Sequence, residues 1–172
     1  YYLEEVLEDI PMDYSKEYSG SSGVFTVSGE FANGAKVKVV SGTDFLGEFT
    51  VASGEVDVSA VKAVSSAYIG YQFDVELITL PIDANIATGV MTSDPRHIVM
   101  VTLDLVDTLS VSVNNKDLVI RSVTDDFSLA RPKFNGRKEF RLLGYNQDPK
   151  ITISQSVPFD LQINGMVIEV VV

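Results

Sequence analysis

Residues 97–113, HIVMVTLDLVDTLSVSV, decide the fold class. They alternate at period two. Ile98, Met100, Thr102, Asp104 and Val106 fall on one side, and Val99, Val101, Leu103 and Leu105 on the other, which is the spacing of a strand whose side chains point to opposite faces of a sheet. No window of the chain sustains helical periodicity. A long strand is therefore expected here, broken near Asp107. Asn114-Asn115-Lys116-Asp117 follows as a hairpin turn into a strand over 118–123, because Asn tolerates positive φ better than other residues that carry a side chain.

The same alternation extends outward in both directions. Residues 68–80 form a β-type run closed by Pro81, then a loop over 83–96 that carries Gly89, Ser93 and Pro95 and is expected to be exposed. Residues 124–135 are a further loop. Strands are expected at 138–143, 151–154, 161–164 and 166–172, the last mostly buried with Glu169 as its exception. Between Gly23 and Val64, short β-type runs are punctuated by Ser28-Gly29, Asn33-Gly34, Ser41-Gly42 and Ser53-Gly54, the turn spacing of a small sandwich or barrel. There Lys36 and Lys38 alternate with Val37 and Val39, which predicts one wet face and one dry face. Residues 1–7 are compatible with a strand, and residues 8–22 combine Pro, acids and a Ser/Gly cluster as a linker. The architecture is thus all-β with almost no helix. An opening strand and acidic linker (1–22) precede a small β-barrel-like module (23–66) and an antiparallel β-sandwich-like module (67–172).

Composition narrows the function. The chain has 172 residues, 45% hydrophobic and 22% charged, which suits a folded globular chain rather than a disordered or fibrous one. Thirteen Lys and Arg against 24 Asp and Glu give a formal charge of -11, which opposes binding along a nucleic-acid backbone or an anionic membrane. With no cysteine, disulfides, thiolate nucleophiles and Cys-type metal sites are all removed. No apolar run reaches the roughly 18 residues of a membrane-spanning helix. The start, without Met and inside a strand-like run, is expected to be a cut from a longer protein.

Catalytic chemistry finds little purchase. His97, the one histidine, abuts a strand and is expected to be a strand-end residue with a wet ring. No Gly-x-Ser-x-Gly elbow and no phosphate-binding glycine loop is present. Asp125-Asp126, Asp104 with Asp107, and Glu4, Glu5, Glu8, Asp9 and Asp13 supply oxygens that suit calcium, but none has EF-hand spacing, and solvated loop charge accounts for them better. No enzyme activity, cofactor or metal is expected. The tract 131–141, RPKFNGRKEFR, places Phe134 and Phe140 among Arg131, Lys133, Arg137, Lys138 and Arg141. It fits a base-stacking platform, a solvated hairpin loop, or a subunit contact. The acidic field of the whole chain weighs against the first, and Arg131, Lys133, Phe134, Arg137, Phe140 and Arg141 are the candidate contact residues.

The order of segments resembles the C-terminal region of the tail tubular protein B, or tail-nozzle, family of short-tailed bacteriophages, over nearly the whole chain. The residues that carry the resemblance are Tyr2-Leu3-Glu4-Glu5-Val6, then Gly23-Val24-Phe25-Thr26-Val27-Ser28-Gly29 through Val40. Tyr68-Ile69-Gly70-Tyr71-Gln72 to Thr79-Leu80-Pro81-Ile82 follows, then Arg96-His97-Ile98-Val99, Phe140-Arg141-Leu142-Leu143-Gly144, Pro149-Lys150-Ile151 and Val157-Pro158-Phe159. The basic cluster before the Ile-rich strand is reduced here to Arg96. The resemblance implies a non-enzymatic virion subunit in the phage tail, made in the host cytoplasm, which assembles as a homo-oligomeric ring with adaptor and fibre proteins as neighbours. DNA would pass through it without specific binding, and no membrane is implied. The competing reading is a secreted or surface β-module that binds glycan or a protein partner, with Tyr14, Tyr18, Tyr68, Tyr71 and Tyr145 as stacking rings.

Overall fold

The computed structural model describes residues 10–71, 74–82, 85–86, 89–90, 96–121, 124, 126 and 129–171. The expected opening strand at residues 1–7 lies outside them, as does nearly all of the expected loop 83–96. The protein is all-β. The described residues form fifteen strands and no helix. The chain divides into two compact units: one runs to Asp74 and includes residues 123–131 and 156–159, and the other takes Val75–Ser122, Pro132–Gln155 and Asp160–Val172.

The first unit contains β1 (Asp13–Ser19), β2 (Val24–Thr26), β3 (Lys36–Ser41), β4 (Asp44–Thr50), β5 (Glu55–Asp57) and β6 (Ser66–Tyr71). An antiparallel sheet runs in the order β1-β6-β3-β4, while β2 and β5 pair only with each other. This sheet is open at β1 and β4, so its strands do not close into the expected barrel. The β2–β5 ribbon still serves one core, because Phe25 and Val56 bury against Val37, Val39 and Ile69. Each fully buried side chain of this kind contributes about 1.5–3 kcal/mol. The Ser53-Gly54 turn forms as expected, with φ of 53° and 76° at its two residues, and Asn33 Oδ1 accepts the Gly54 N–H at 2.8 Å.

Two expectations for this unit are corrected. The expected linker 8–22 contains β1, because Tyr18 is buried in the core and Tyr14 reaches Phe31 and Tyr71. Its Asp, Ser, Lys and Glu residues face solvent from an edge strand, where charge discourages stray pairing. Lys38 does not share a wet face with Lys36. It is 2% exposed, donates to Asp74 Oδ1 at 2.8 Å and to the Ser156 carbonyl, and thereby keeps a charge satisfied inside the unit. The expected strand 68–80 is split, since β6 ends at Tyr71 in this unit and the next strand belongs to the other.

The second unit contains β7 (Val75–Ile78), β8 (Asn85–Ile86), β9 (Gly89–Val90), β10 (His97–Thr108), β11 (Ser112–Val113), β12 (Lys116–Asp117), β13 (Phe134–Arg141), β14 (Thr152–Gln155) and β15 (Gln162–Val171). One sheet runs β13-β10-β15, a second β12-β11-β14-β7, and β8 pairs with β9. Both larger sheets feed one core: Val101, Leu103 and Leu105 of β10 and Phe140 of β13 meet Val113 of β11 and Ile153 of β14. Asn114 and Asn115 make the turn at φ of 46° and 63°, which leaves Lys116 and Asp117 in the returning strand rather than in the turn.

β10 departs from strict alternation in a decisive way. The pairing with β15 slips between Ile98 and Met100, so Val99 is an extra residue and Ile98 joins Val101, Leu103 and Leu105 on the buried side. A second irregularity surrounds Asp107 at φ 45°, where the Asp107 N–H donates to Asn135 Oδ1 and Asn135 Nδ2 donates back to Asp107 Oδ1, both at 2.9 Å. The expected break near Asp107 is therefore a clipped bulge inside the strand. β15 also differs from expectation, being one continuous strand that is nowhere fully buried. It is an outer strand, so even its inward side chains keep one flank exposed.

Two substitutions check this packing. A Cβ at Gly20 would sit 2.2 Å from the Val24 carbonyl oxygen and 2.7 Å from the Phe25 ring. Gly20→Ala is expected to destabilise the chain by about 1–3 kcal/mol in urea titration, while Ser19→Ala beside it changes stability by less than about 0.5 kcal/mol. Leu103→Ala is expected to cost about 2–5 kcal/mol.

Candidate assembly surface

The sheet β13-β10-β15 presents one face to solvent, and its register fixes which side chains share it. Three rows cross the strands: Arg141, Met100 and Glu169; Glu139, Thr102 and Val167; Arg137, Asp104 and Gly165. Arg137, Lys138, Glu139, Thr102 and Val167 line a shallow open depression there. Opposite charges sit across neighbouring strands at Arg137 and Asp104, an arrangement that stabilises a sheet face modestly. The face is mixed in charge and partly apolar, with Val167 68% exposed.

The six candidate contact residues do not form one cluster. Arg137 and Arg141 lie on this face. Phe140 points the other way and is 4% exposed within the core, and Phe134 is half-buried against the same core. Neither Phe offers the free ring that a base-stacking platform needs. Lys133 pairs with Asp160 at 2.9 Å. Arg131 belongs to the first unit, where its guanidinium lies 6.0 Å from the Phe159 ring centroid.

The strand edges are the feature that residue-by-residue reading missed. Among the described residues no strand pairs with the outer edge of β13 or of β15. β13 carries familiar protection: Lys138 sits on the row opposite Leu103, and Gly136 holds φ 125° within the strand. β15 carries none. Its ten residues hold a single charge, Glu169, and its inward row of Ile163, Met166, Ile168 and Val170 packs on the core while staying half-buried. A signal existed in the sequence, in the run MVIEVV, but the unprotected edge depends on strand order.

Other candidates resolve into structural roles. His97 is half-buried, with Nε2 donating to the Leu142 carbonyl at 3.1 Å and its ring 5.2 Å from that of Tyr145. Arg96 is 1% exposed, donates to the Ile82 and Gln147 carbonyls, and pairs its backbone with Asn146, so the cation joins the loops at Ile82 and Gln147 in the second unit. Among the described residues no three acidic or histidine side chains gather as a metal site requires. Of the oxygens considered for calcium, residues 4, 5, 8, 9 and 125 lie outside those described.

The most perturbed groups lie in the first unit. Tyr18 donates its hydroxyl to Glu30, and Lys16 donates to the same carboxylate. The Lys16 hydrogen bond, then that of Tyr18, holds Glu30 below the usual carboxylate range; burial first, then Glu30, raises the Tyr18 phenol. Tyr14 and Tyr71 lie beside this group, 53% and 37% exposed, with ring centroids 6.2 Å apart and Phe31 packed edge-on to both. Tyr18 is buried and offers no free ring to such a platform, Tyr68 lies on β6, and Tyr145 belongs to the second unit.

No family model matches the sequence, and no curated protein matches it. The resemblance to tail-nozzle proteins rests on the order and spacing of motifs.

The Glu30 group gives a signed pH prediction. A lowered folded-state value makes Glu30 stabilising above its ordinary value of 4.5, and that contribution fades as pH falls through the folded value. Glu30→Gln is expected to flatten the acid limb of a stability–pH curve. The raised Tyr18 phenol acts oppositely, stabilising below its ordinary value of 10.0 and losing this as pH rises beyond it, so Tyr18→Phe flattens the alkaline limb.

Proposed function

We propose that this chain is a non-enzymatic structural subunit of a bacteriophage tail, of the nozzle or tail-tube type, which assembles as a ring forming part of the conduit for DNA ejection. The observation that carries the reading is β15, a ten-residue outer strand with one charge and a half-buried apolar row, on a chain whose other outer strand in that sheet is guarded. Such an edge calls for a partner strand. The motif order supplies the identity of the assembly, and adaptor and fibre proteins are then its neighbours in the virion. The charge of -11 supports a conduit, because an acidic wall repels phosphate and lets a duplex slide without sticking.

A second reading, a surface module that binds glycan, is favoured by the neighbouring exposed rings of Tyr14 and Tyr71. Neutral oligosaccharide titration separates the two: saturable binding lost in Tyr14→Ala supports the module.

The tail reading is tested by the native mass of this chain, and of any longer protein that contains it, in sedimentation, with the same peak imaged by negative stain. Closed rings with an axial channel are the expected result. A monomer at every concentration, alone and with the other tail proteins, overturns it.

A further inference from the structure

We propose that β15 of one copy adds to β13 of a second copy of this chain, side by side and parallel, so that the sheet β13-β10-β15 continues from subunit to subunit. This rests on the ring reading and says which strands make the contact. β13 and β15 each run antiparallel to β10, so they point the same way within one sheet. A neighbour that extends the sheet in the same sense presents its β13 parallel to β15.

Burial motivates the use of β15. Ile163, Met166, Ile168 and Val170 already pack on the core, and each keeps a flank open only because no described strand lies beyond them. A strand added at that edge covers the open flanks and pairs the free backbone groups together. On the outward side it also covers part of Val167.

Charge selects the partner edge. With the two strands level, the rows of the sheet run on: Glu169 comes beside Arg141 of the second copy, Val167 beside Glu139 and Gly165 beside Arg137. Inward, Ile168 meets Phe140, and Met166 lies along the stem of Lys138. Sliding by four residues sets Glu169 beside Arg137, still opposite in sign, whereas sliding by two sets it against Glu139. Only alternate registers are therefore favourable. β13 against β13 brings two arginine-bearing edges together. β15 against β15 is a two-fold contact that stops at a dimer, whereas two different edges form the head-to-tail contact that a closed ring requires.

The absence of cysteine from the sequence makes the test clean. Two double variants of the full chain are oxidised and run without reductant: Val167→Cys with Glu139→Cys for the level register, and Val167→Cys with Asn135→Cys for the register slid by four. One of them is expected to give a ladder of dimer, trimer and higher species, while each single variant does not cross-link. A dimer as the sole product of Val167→Cys alone overturns the proposal in favour of β15 pairing with itself. No ladder from either double variant, with multimers still present in sedimentation, overturns the proposed contact and leaves the ring reading standing. No multimer by either measure removes both. As a check on charge, Glu169→Arg is expected to weaken association at least about tenfold, and Arg141→Glu in the same chain to restore it; unchanged association in Glu169→Arg overturns the charge pairing.

Discussion

The second unit depends on β10 being paired on both sides. Its Val101, Leu103 and Leu105 are fully buried, and each stands opposite a residue of β13 and a residue of β15 or its bulge. Two ladders hold this strand, and the opposite sheet covers its inward face through Val113 and Ile153. A strand so placed cannot slip by one residue without turning Leu103 and Leu105 out to water. The Val99 bulge is the price of bringing Ile98 to the same side, and the Asp107–Asn135 clip fixes the far end. The register of both outer strands follows from these points.

Because β10 takes the central position, the unit has two outer strands in that sheet, and they are treated differently. β13 has Lys138 on its inward row and a glycine at φ 125°, which discourage an unselective strand while leaving the edge open to one that matches its arginines and the stem of Lys138. β15 has aliphatic side chains where protection would be expected. Its exposure at Val167 and Val171 is therefore not the scattered surface apolarity of any folded chain. With the half-buried row Ile163, Met166, Ile168 and Val170, it lies along a strand that has no described neighbour on its outer side.

Period-two alternation made the all-β class legible from residues 97–113 alone, and turn chemistry made Ser53-Gly54 and Asn114-Asn115 legible. What misled were residues whose burial depends on distant partners. Lys38 follows Val37 as a solvent-facing residue would, and distant partners, Asp74 and the Ser156 carbonyl among them, make its burial tolerable. Residues 13–19 have the composition of a linker, and two aromatic anchors are enough to make them an edge strand. Alternation could not reveal the Val99 bulge, since a bulge is a mismatch between two strands. β15 was misread for the related reason that an apolar run states a preference for burial, while strand order decides whether burial is met. Of the six candidate contact residues, Arg137 and Arg141 reach the exposed face, and Phe140 is lost to the core because its neighbours on β10 are Val101 and Leu103.

Charge adds a further constraint on how such a chain can associate. Two copies at -11 each repel at long range, and the repulsion is screened within about 8 Å at physiological ionic strength. A contact between them must be placed where local charge is sparse and where the attraction acts at short range. β15 meets the first condition with one carboxylate in ten residues, and its half-buried apolar row meets the second. The arginines of β13 then act on that one carboxylate and on the surrounding acidic field at once, so the most basic edge of the sheet is the favourable neighbour for its most apolar one. The excess of acid elsewhere opposes aggregation without weakening a contact confined to these strands. A high net charge and a sparsely charged edge are in this sense one design: the first suppresses unspecific association, and the second leaves a place for association to occur.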